Sequence, residues 1–195
     1  MKKIITEYHQ KCSEHSDINE HLPTLFEYAT LCKTITEMGT RFGLSTIALL
    51  ASNPVKMISY DIKPYFNEIN NLITLAKEYN IDYTFITADV LSIDIESTDL
   101  LFIDTLHTYN QLFMELLTHS KKVNKFIIIH DTFTFGYHDE YIYDHASDKI
   151  KKQDYLKTGL IAAIDDFLAL ESSSGWTMHK KYLNNNGLII LKNEH

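Results

Sequence analysis

Glu37-Met38-Gly39-Thr40-Arg41-Phe42-Gly43-Leu44-Ser45-Thr46, followed by Ile58-Ser59-Tyr60-Asp61, is the stretch whose reading decides the fold. It reads as a strand ending in an acid, a glycine-containing turn, a helix start, and a second strand ending in another acid. Gly39 and Gly43 lack the Cβ that would keep the backbone from a ligand or from a positive φ. Ser45 and Thr46 stand where the helix begins, and exposed N–H groups there favour polar or anionic ligand atoms. Asp61 follows about twenty residues later, where an acid at the tip of a second strand accepts hydrogen bonds from both ribose hydroxyls. The pattern predicts a grip on a nucleoside-type cofactor; the plainer reading is an ordinary βα turn with an N-cap Ser or Thr.

The composition sets the frame. A chain of 195 residues, 45% hydrophobic and 23% charged, is large enough for one continuous core without disulfides. A net charge of −8 argues against nucleic acid or an anionic membrane surface as partner. The lysine clusters Lys121, Lys122, Lys125 and Lys149, Lys151, Lys152 read as solvated surface. Cys12 and Cys32 make neither a disulfide framework nor a metal knuckle. Residues Met1 to Gln10 are too polar for a signal peptide, and no apolar run approaches the ~20 residues needed to cross a bilayer. The expected location is the cytoplasm, with both thiols reduced.

Outward from the opening stretch, strands and helices alternate. The first ~33 residues are helical in tendency, with Ser16-Asp17 as a candidate cap and Leu25, Phe26, Tyr28, Ala29 and Leu31 as an apolar face. Strands are expected at 34–37, 56–60, 83–87, 100–103 and 126–129, and helices at 44–51 and 67–79. Short continuous apolar runs of this kind suit a parallel sheet covered on both faces. A helix over 159–170, strands at 176–179 and 188–192, and the turn Asn184-Asn185-Asn186-Gly187 complete the chain with a hairpin. Right-handed crossovers then bring Glu37, Asp61, Asp89, Asp104 and Asp131 to one sheet edge.

A dinucleotide fingerprint places a glycine where this chain has Arg41, and Glu37 would repel a phosphate. Glu37-x-Gly39-x-x-x-Gly43 instead resembles the first motif of class I S-adenosylmethionine-dependent methyltransferases, and Asp61 resembles their ribose-binding acid. Further segments narrow the likeness: Ser16 to Pro23, Asp104-Thr105-Leu106-His107-Thr108-Tyr109, Ile129-His130-Asp131-Thr132, Gly159 to Leu168, and Asn185-Asn186-Gly187-Leu188. Together they resemble the group around the cephalosporin hydroxylase and macrolide sugar O-methyltransferase proteins, over nearly the whole chain. The resemblance implies an α/β fold with a doubly wound, mostly parallel Rossmann-like sheet and a C-terminal antiparallel hairpin strand. It also implies a single domain over 1–195, with 1–33 as a helical segment and 34–195 as the sheet core.

The resemblance further implies S-adenosylmethionine as cofactor, met by Glu37, Gly39, Thr40, Gly43, Ser45, Asp61, Asp89 and Asp104. A divalent metal would sit at Asp104, His130 and Asp131. His130 stands where those relatives have an acid, so Mn²⁺, Fe²⁺ or Zn²⁺ would suit the set as well as Mg²⁺; alternatively His130 orients Asp131. Asp104 and Asp131 are also candidates for helix caps. His107 is the candidate general base, since an ordinary pKa near ~6.5 suits that task, and a surface histidine is the plain alternative. His138, Asp139, Tyr141, Tyr143, Asp144 and His145 form either an acceptor-site lid or a surface loop. Tyr60, Tyr65 and Phe66 either pack on adenine or belong to the core, and Trp176 is expected to anchor the hairpin in the core.

The expected reaction is methyl transfer to an oxygen of a small-molecule acceptor, with Asp104 and His107 as the catalytic pair. The alternatives are an inactive accessory protein that binds S-adenosylmethionine or S-adenosylhomocysteine, and an oxidoreductase, which Arg41 disfavours. Neither nucleic acid nor membrane is an expected partner. Dimerisation through the N-terminal helices fits the architecture.

Overall fold

The computed structural model describes residues 3–141 and 157–195. Two helices open the chain, α1 (Lys3–Ser13) and α2 (Leu22–Ala29), followed by β1 (Thr34–Met38), α3 (Leu44–Ala51), β2 (Lys56–Asp61) and α4 (Phe66–Glu78). Then come β3 (Asp82–Thr87), β4 (Thr98–Ile103), α5 (Tyr109–His119), β5 (Val123–His130), α6 (Leu160–Leu168), β6 (Trp176–Tyr182) and β7 (Leu188–Asn193).

The strands form one seven-stranded sheet in the order β3-β2-β1-β4-β5-β7-β6. Pairing is parallel from β3 through β5, and β7 runs antiparallel to both β5 and β6. This is the expected doubly wound sheet with a C-terminal hairpin. The expected strands and helices are all present, with ends shifted by up to three residues. The order reverses at β1 and β4, so a crevice opens between their carboxyl ends, where ligands of open α/β sheets bind.

The inner strands are buried on both faces because their apolar runs serve two layers. In β5, Ile128 belongs to one apolar cluster with Leu25, Leu50, Met57 and Phe102. Its neighbours Ile127 and Ile129 join the opposite cluster with Leu116, Ile164 and Phe167. Helices α1 to α4 supply the first layer, α5 and α6 the second. Trp176 is buried in the second cluster, as expected. The outer strands β3 and β6 are largely exposed.

Three local expectations are corrected. Ser16-Asp17 caps no α-helix: the turn at 19–21 begins after Ile18 without a side-chain cap. The N-cap of α3 is Gly43 in the left-handed region (φ 77°), with no side-chain cap, so Ser45 and Thr46 are free for another task. Phe66 is 68% exposed, and so belongs to neither core cluster. The C-terminal turn does take positive φ, at Asn185, Asn186 and Gly187. Cys12 and Cys32 are both free thiols. No helix among the described residues is long and apolar enough to cross a membrane.

Gly39 fixes how closely β1 approaches β4. Its φ is +87°, and a Cβ there would lie 1.8 Å from the Asp104 carbonyl oxygen. Gly39→Ala should therefore lower stability by at least about 2 kcal/mol, read as a fall in melting temperature. An unchanged Tm would mean that the two strand ends can separate at little cost.

Candidate cofactor and metal site

The acids expected at the strand ends divide into two groups. Asp61, Asp89, Asp104 and Asp131 line one cavity of about 450 Å³, together with Gly39, Arg41, Tyr60, Gln111, His107 and Glu140. Glu37 lies beneath its floor. It is fully buried, and its carboxylate accepts from Ser45 Oγ at 2.7 Å, Thr46 Oγ1 at 2.8 Å and Ser59 Oγ at 2.5 Å. Glu37, expected among the residues that meet the cofactor, is not exposed to the cavity for direct contact, and its carboxylate is engaged by three hydroxyls. Burial raises its pKa to about 7, against the pull of those hydrogen bonds.

The glycine turn is held from the other side by Asp61. Asp61 Oδ2 accepts from the backbone N–H groups of Thr40 at 2.9 Å and Arg41 at 2.8 Å, and Oδ1 accepts from Lys63 N at 2.8 Å. A carboxylate oxygen takes about two donors, so Oδ1 keeps room for one further donor while Oδ2 is filled. Thr40 is buried, and Gly43 abuts Leu72 of α4. Arg41 has φ 46° and turns its guanidinium to Asp17 Oδ2 at 2.8 Å, over the Phe42 ring. Tyr65 packs against Phe42 at a tilt of 58° and, with Tyr60, lines the cavity.

A second cavity of about 370 Å³ shares Asp17, Gly39, Arg41 and Asp104 with the first and adds Ser16, Ile18 and Ser45. The hairpin turn pins the N-terminal segment over it. Asn185 Nδ2 donates to Ser16 O, Glu20 N donates to Asn185 Oδ1, and Asn184 Nδ2 donates to Glu20 Oε2. Asp89 serves locally as an N-cap, accepting from Leu91 N at 3.0 Å and Ser92 Oγ at 3.1 Å.

At the far end of the main cavity, His107 stands between three carboxylates. Its Nε2 is 3.1 Å from Asp104 Oδ1 and 3.0 Å from Asp131 Oδ2, and its Nδ1 is 2.8 Å from Glu140 Oε2. The ring stacks flat on Phe135 at 4.9 Å. Burial works against a charged ring, but the three carboxylates outweigh it and push the pKa up to about 12. A histidine in this state is an imidazolium. The expectation of a base poised near neutrality is corrected for the arrangement seen here.

Asp104 is held well below the usual carboxylate range, because His130 and His107 outweigh the effect of burial. His130 is almost wholly buried, with Nε2 3.2 Å from Asn185 O and Nδ1 3.5 Å from both Asp104 Oδ1 and Asp131 Oδ2. Burial lowers its pKa and the two aspartates raise it further, to about 10.

The donor set fits a divalent cation, with one donor more than expected. Asp104, His107 and Asp131 each offer an atom, all within 4.8 Å of one another; His107 thus joins the expected set, in which His130 Nδ1 lies 3.5 Å from the same Asp104 and Asp131 oxygens. Asp131 Oδ1 and His130 Nδ1 are buried without hydrogen-bond partners among the described residues. Asp131 also has φ 59°, an uncommon conformation that clusters at binding sites. Two oxygens and an imidazole nitrogen suit Mn²⁺, Fe²⁺ or Zn²⁺.

Glu140 was not singled out from sequence, being 33 residues from the histidine it holds. Its neighbour Asp139 accepts from the N–H groups of Tyr109 and Gly159, which docks the segment after β5 onto α5 and α6. Tyr141 is exposed, and the expected lid residues Tyr143, Asp144 and His145 lie outside the described residues, as do Lys149, Lys151 and Lys152.

No protein-family model and no curated protein matches the sequence. Many solved structures do match in fold. The O-methyltransferase TomG from Streptomyces achromogenes, involved in tomaymycin synthesis and solved with S-adenosylmethionine, aligns over 100% of this chain and 91% of its own. Its TM-score is 0.63 at 14% identity. The O-methyltransferase from Bacillus cereus in complex with S-adenosylhomocysteine gives 0.61 at 15% identity, covering 99% and 91% of the two chains. The N-methyltransferase NodS from Bradyrhizobium japonicum gives 0.60 at 13%, covering 92% and 97%. The chain therefore has the class I methyltransferase fold, which such proteins use for more than one acceptor atom.

The buried Glu37 makes a pH prediction. Its folded pKa, about 7, lies above the ordinary value of 4.5. Its stabilising contribution is thus fully present below pH ~4.5 and is lost as pH rises through ~7, where ionised Glu37 costs up to about 3 kcal/mol. Glu37→Gln removes this dependence, so the variant's Tm relative to wild type should rise between pH 5 and 8. A difference independent of pH would show that Glu37 titrates normally.

Proposed function

We propose that this chain is an S-adenosylmethionine-dependent methyltransferase acting on an oxygen of a small molecule, aided by a divalent cation at Asp104, His107 and Asp131. The observation that carries the reading is one cavity running from Asp61 to the Asp104–His107–Asp131 cluster, in a fold shared with proteins solved around that cofactor. Its volume of about 450 Å³ is that of a small-molecule pocket.

The residues divide the work by position. Gly39 lets a ligand lie against the turn, Asp61 Oδ1 accepts from a ribose hydroxyl, and Asp89 faces the base. Methyl transfer needs the acceptor oxygen in line with the sulfonium methyl, so alignment supplies much of the rate. Asp104 and Asp131 hold the acceptor end of the cavity. With Nδ1 engaged by Glu140, Nε2 is the ring atom of His107 that faces Asp104 and Asp131. A cation bound at this point supplies Lewis acidity that lowers the pKa of an acceptor hydroxyl. The imidazolium proton of His107 and such a cation would compete for the same two carboxylates.

That competition is the ground for a second reading, a cofactor-binding accessory protein. The His107 imidazolium already neutralises Asp104 and Asp131. Such a protein binds S-adenosylhomocysteine and ignores Mn²⁺.

Calorimetry with S-adenosylhomocysteine and Mn²⁺ separates the roles. Asp61→Ala should weaken S-adenosylhomocysteine binding about ten-fold or more and leave Mn²⁺ affinity unchanged. Asp104→Ala should abolish Mn²⁺ binding and keep S-adenosylhomocysteine binding. Equal loss of nucleoside affinity in both variants would make Asp104 a cofactor residue, and absence of Mn²⁺ binding in the wild type would leave the accessory reading.

A further inference from the structure

Beside the base end of the cavity lies a buried polar group that methyl transfer itself does not employ. Glu115, in the middle of α5, is 0% exposed. Its Oε1 accepts from Thr105 Oγ1 at 2.7 Å and from Gln111 Nε2 at 2.7 Å. Its Oε2 has no hydrogen-bond partner among the described residues. Burial raises the pKa to about 7, opposed by the bonds from Gln111 and Thr105. Ionised, or protonated at the idle Oε2, the group keeps Oε1 as an acceptor.

This fixes the Gln111 amide. Its two ends are nearly isosteric, so their assignment follows from hydrogen bonding. A carbonyl facing Glu115 Oε1 would set two acceptors against each other, so the NH₂ end points inward. Gln111 lines the cavity, and its carbonyl is left as the polar atom on that side. Asp89, which lines the same cavity, is equally fixed: it is tied to Leu91 N and Ser92 Oγ, and its charge is felt at Glu115. The 90–92 turn is pinned to α5, where His119 Nε2 donates to Val90 O at 2.9 Å.

We propose that Gln111 selects an amino-bearing purine, its carbonyl accepting from the exocyclic amine of the cofactor's adenine, and that Glu115 and Thr105 are positioning residues that hold the amide that way round. The inference rests on the nucleoside-cofactor reading above and names the determinant of its base specificity. A 6-oxo purine would present a carbonyl to a carbonyl, and a site built around a hydrogen bond rejects an analogue that cannot make it.

The test is calorimetric titration of the full chain with S-adenosylhomocysteine and with S-inosylhomocysteine, in which a carbonyl replaces the amine. Wild type should prefer the adenosyl compound by about ten-fold or more. In Gln111→Met the preference should fall to about three-fold or less. In Glu115→Gln it should fall similarly, because the Gln111 amide is then free to turn over, although residue 115 touches no ligand. A melting curve for each variant reports folding, and if Glu115→Gln does not fold, Gln111→Met decides. Equal binding of both compounds by wild type, or an unaltered preference in the folded variants, overturns the proposal and leaves cofactor binding standing. Failure of wild type to bind S-adenosylhomocysteine at all overturns the cofactor reading and this proposal together.

Discussion

A buried carboxylate, that of Glu37, is the interaction on which the site is built. It sits on the central strand β1 and gathers hydroxyls from β2 (Ser59) and from the first turn of α3 (Ser45, Thr46). Burying a carboxyl group without partners costs several kcal/mol; three donors offset that cost only when the three elements stand at one relative position. The turn between β1 and α3 then has a single path, which brings its N–H groups to Asp61 and Gly39 against the Asp104 carbonyl. Strand end, helix start and acid tip are thereby one unit, and the cavity rim inherits its shape from them.

The second constraint is the crowding of negative charge at the carboxyl edge. Asp104, Asp131 and Glu140 converge within hydrogen-bond range of one imidazole, and like charges so close require a cation. His107 supplies it from within, supported by His130 behind. In the proposed function a metal would compete with the imidazolium proton for this electrostatic well, which would link the donor set to a proton balance as well as to a ligand geometry. The flat stack of Phe135 on His107 and the docking of the Asp139–Glu140 segment keep the ring in place.

Much of this was legible in the chain. The alternation of short apolar runs with helical stretches gave the parallel sheet, and Asn184-Asn185-Asn186-Gly187 gave the hairpin, because those residues tolerate the positive φ they adopt. The strand-end acids could be placed on one rim from crossover handedness alone. Less legible was the direction each acid faces. Glu37 and Met38 are adjacent, yet a strand turns successive side chains to opposite layers, and Glu37 falls on the side where α3 covers it. Ser45 and Thr46 looked like helix caps; Gly43 takes that place, and their hydroxyls are donors to Glu37.

By itself the sequence determined the fold class, the order of elements and the list of acids that could meet a cofactor, since these depend on periodicity, glycine and strand ends, which are local. Only the tertiary structure decided that His107 as well as His130 stands against Asp104 and Asp131, that Glu140 closes on His107 from 33 residues away, and that Glu115 holds the Gln111 amide. Those are matters of side-chain convergence across separate elements. No local pattern encodes them, because the partners meet only after the sheet and its two helical layers have packed.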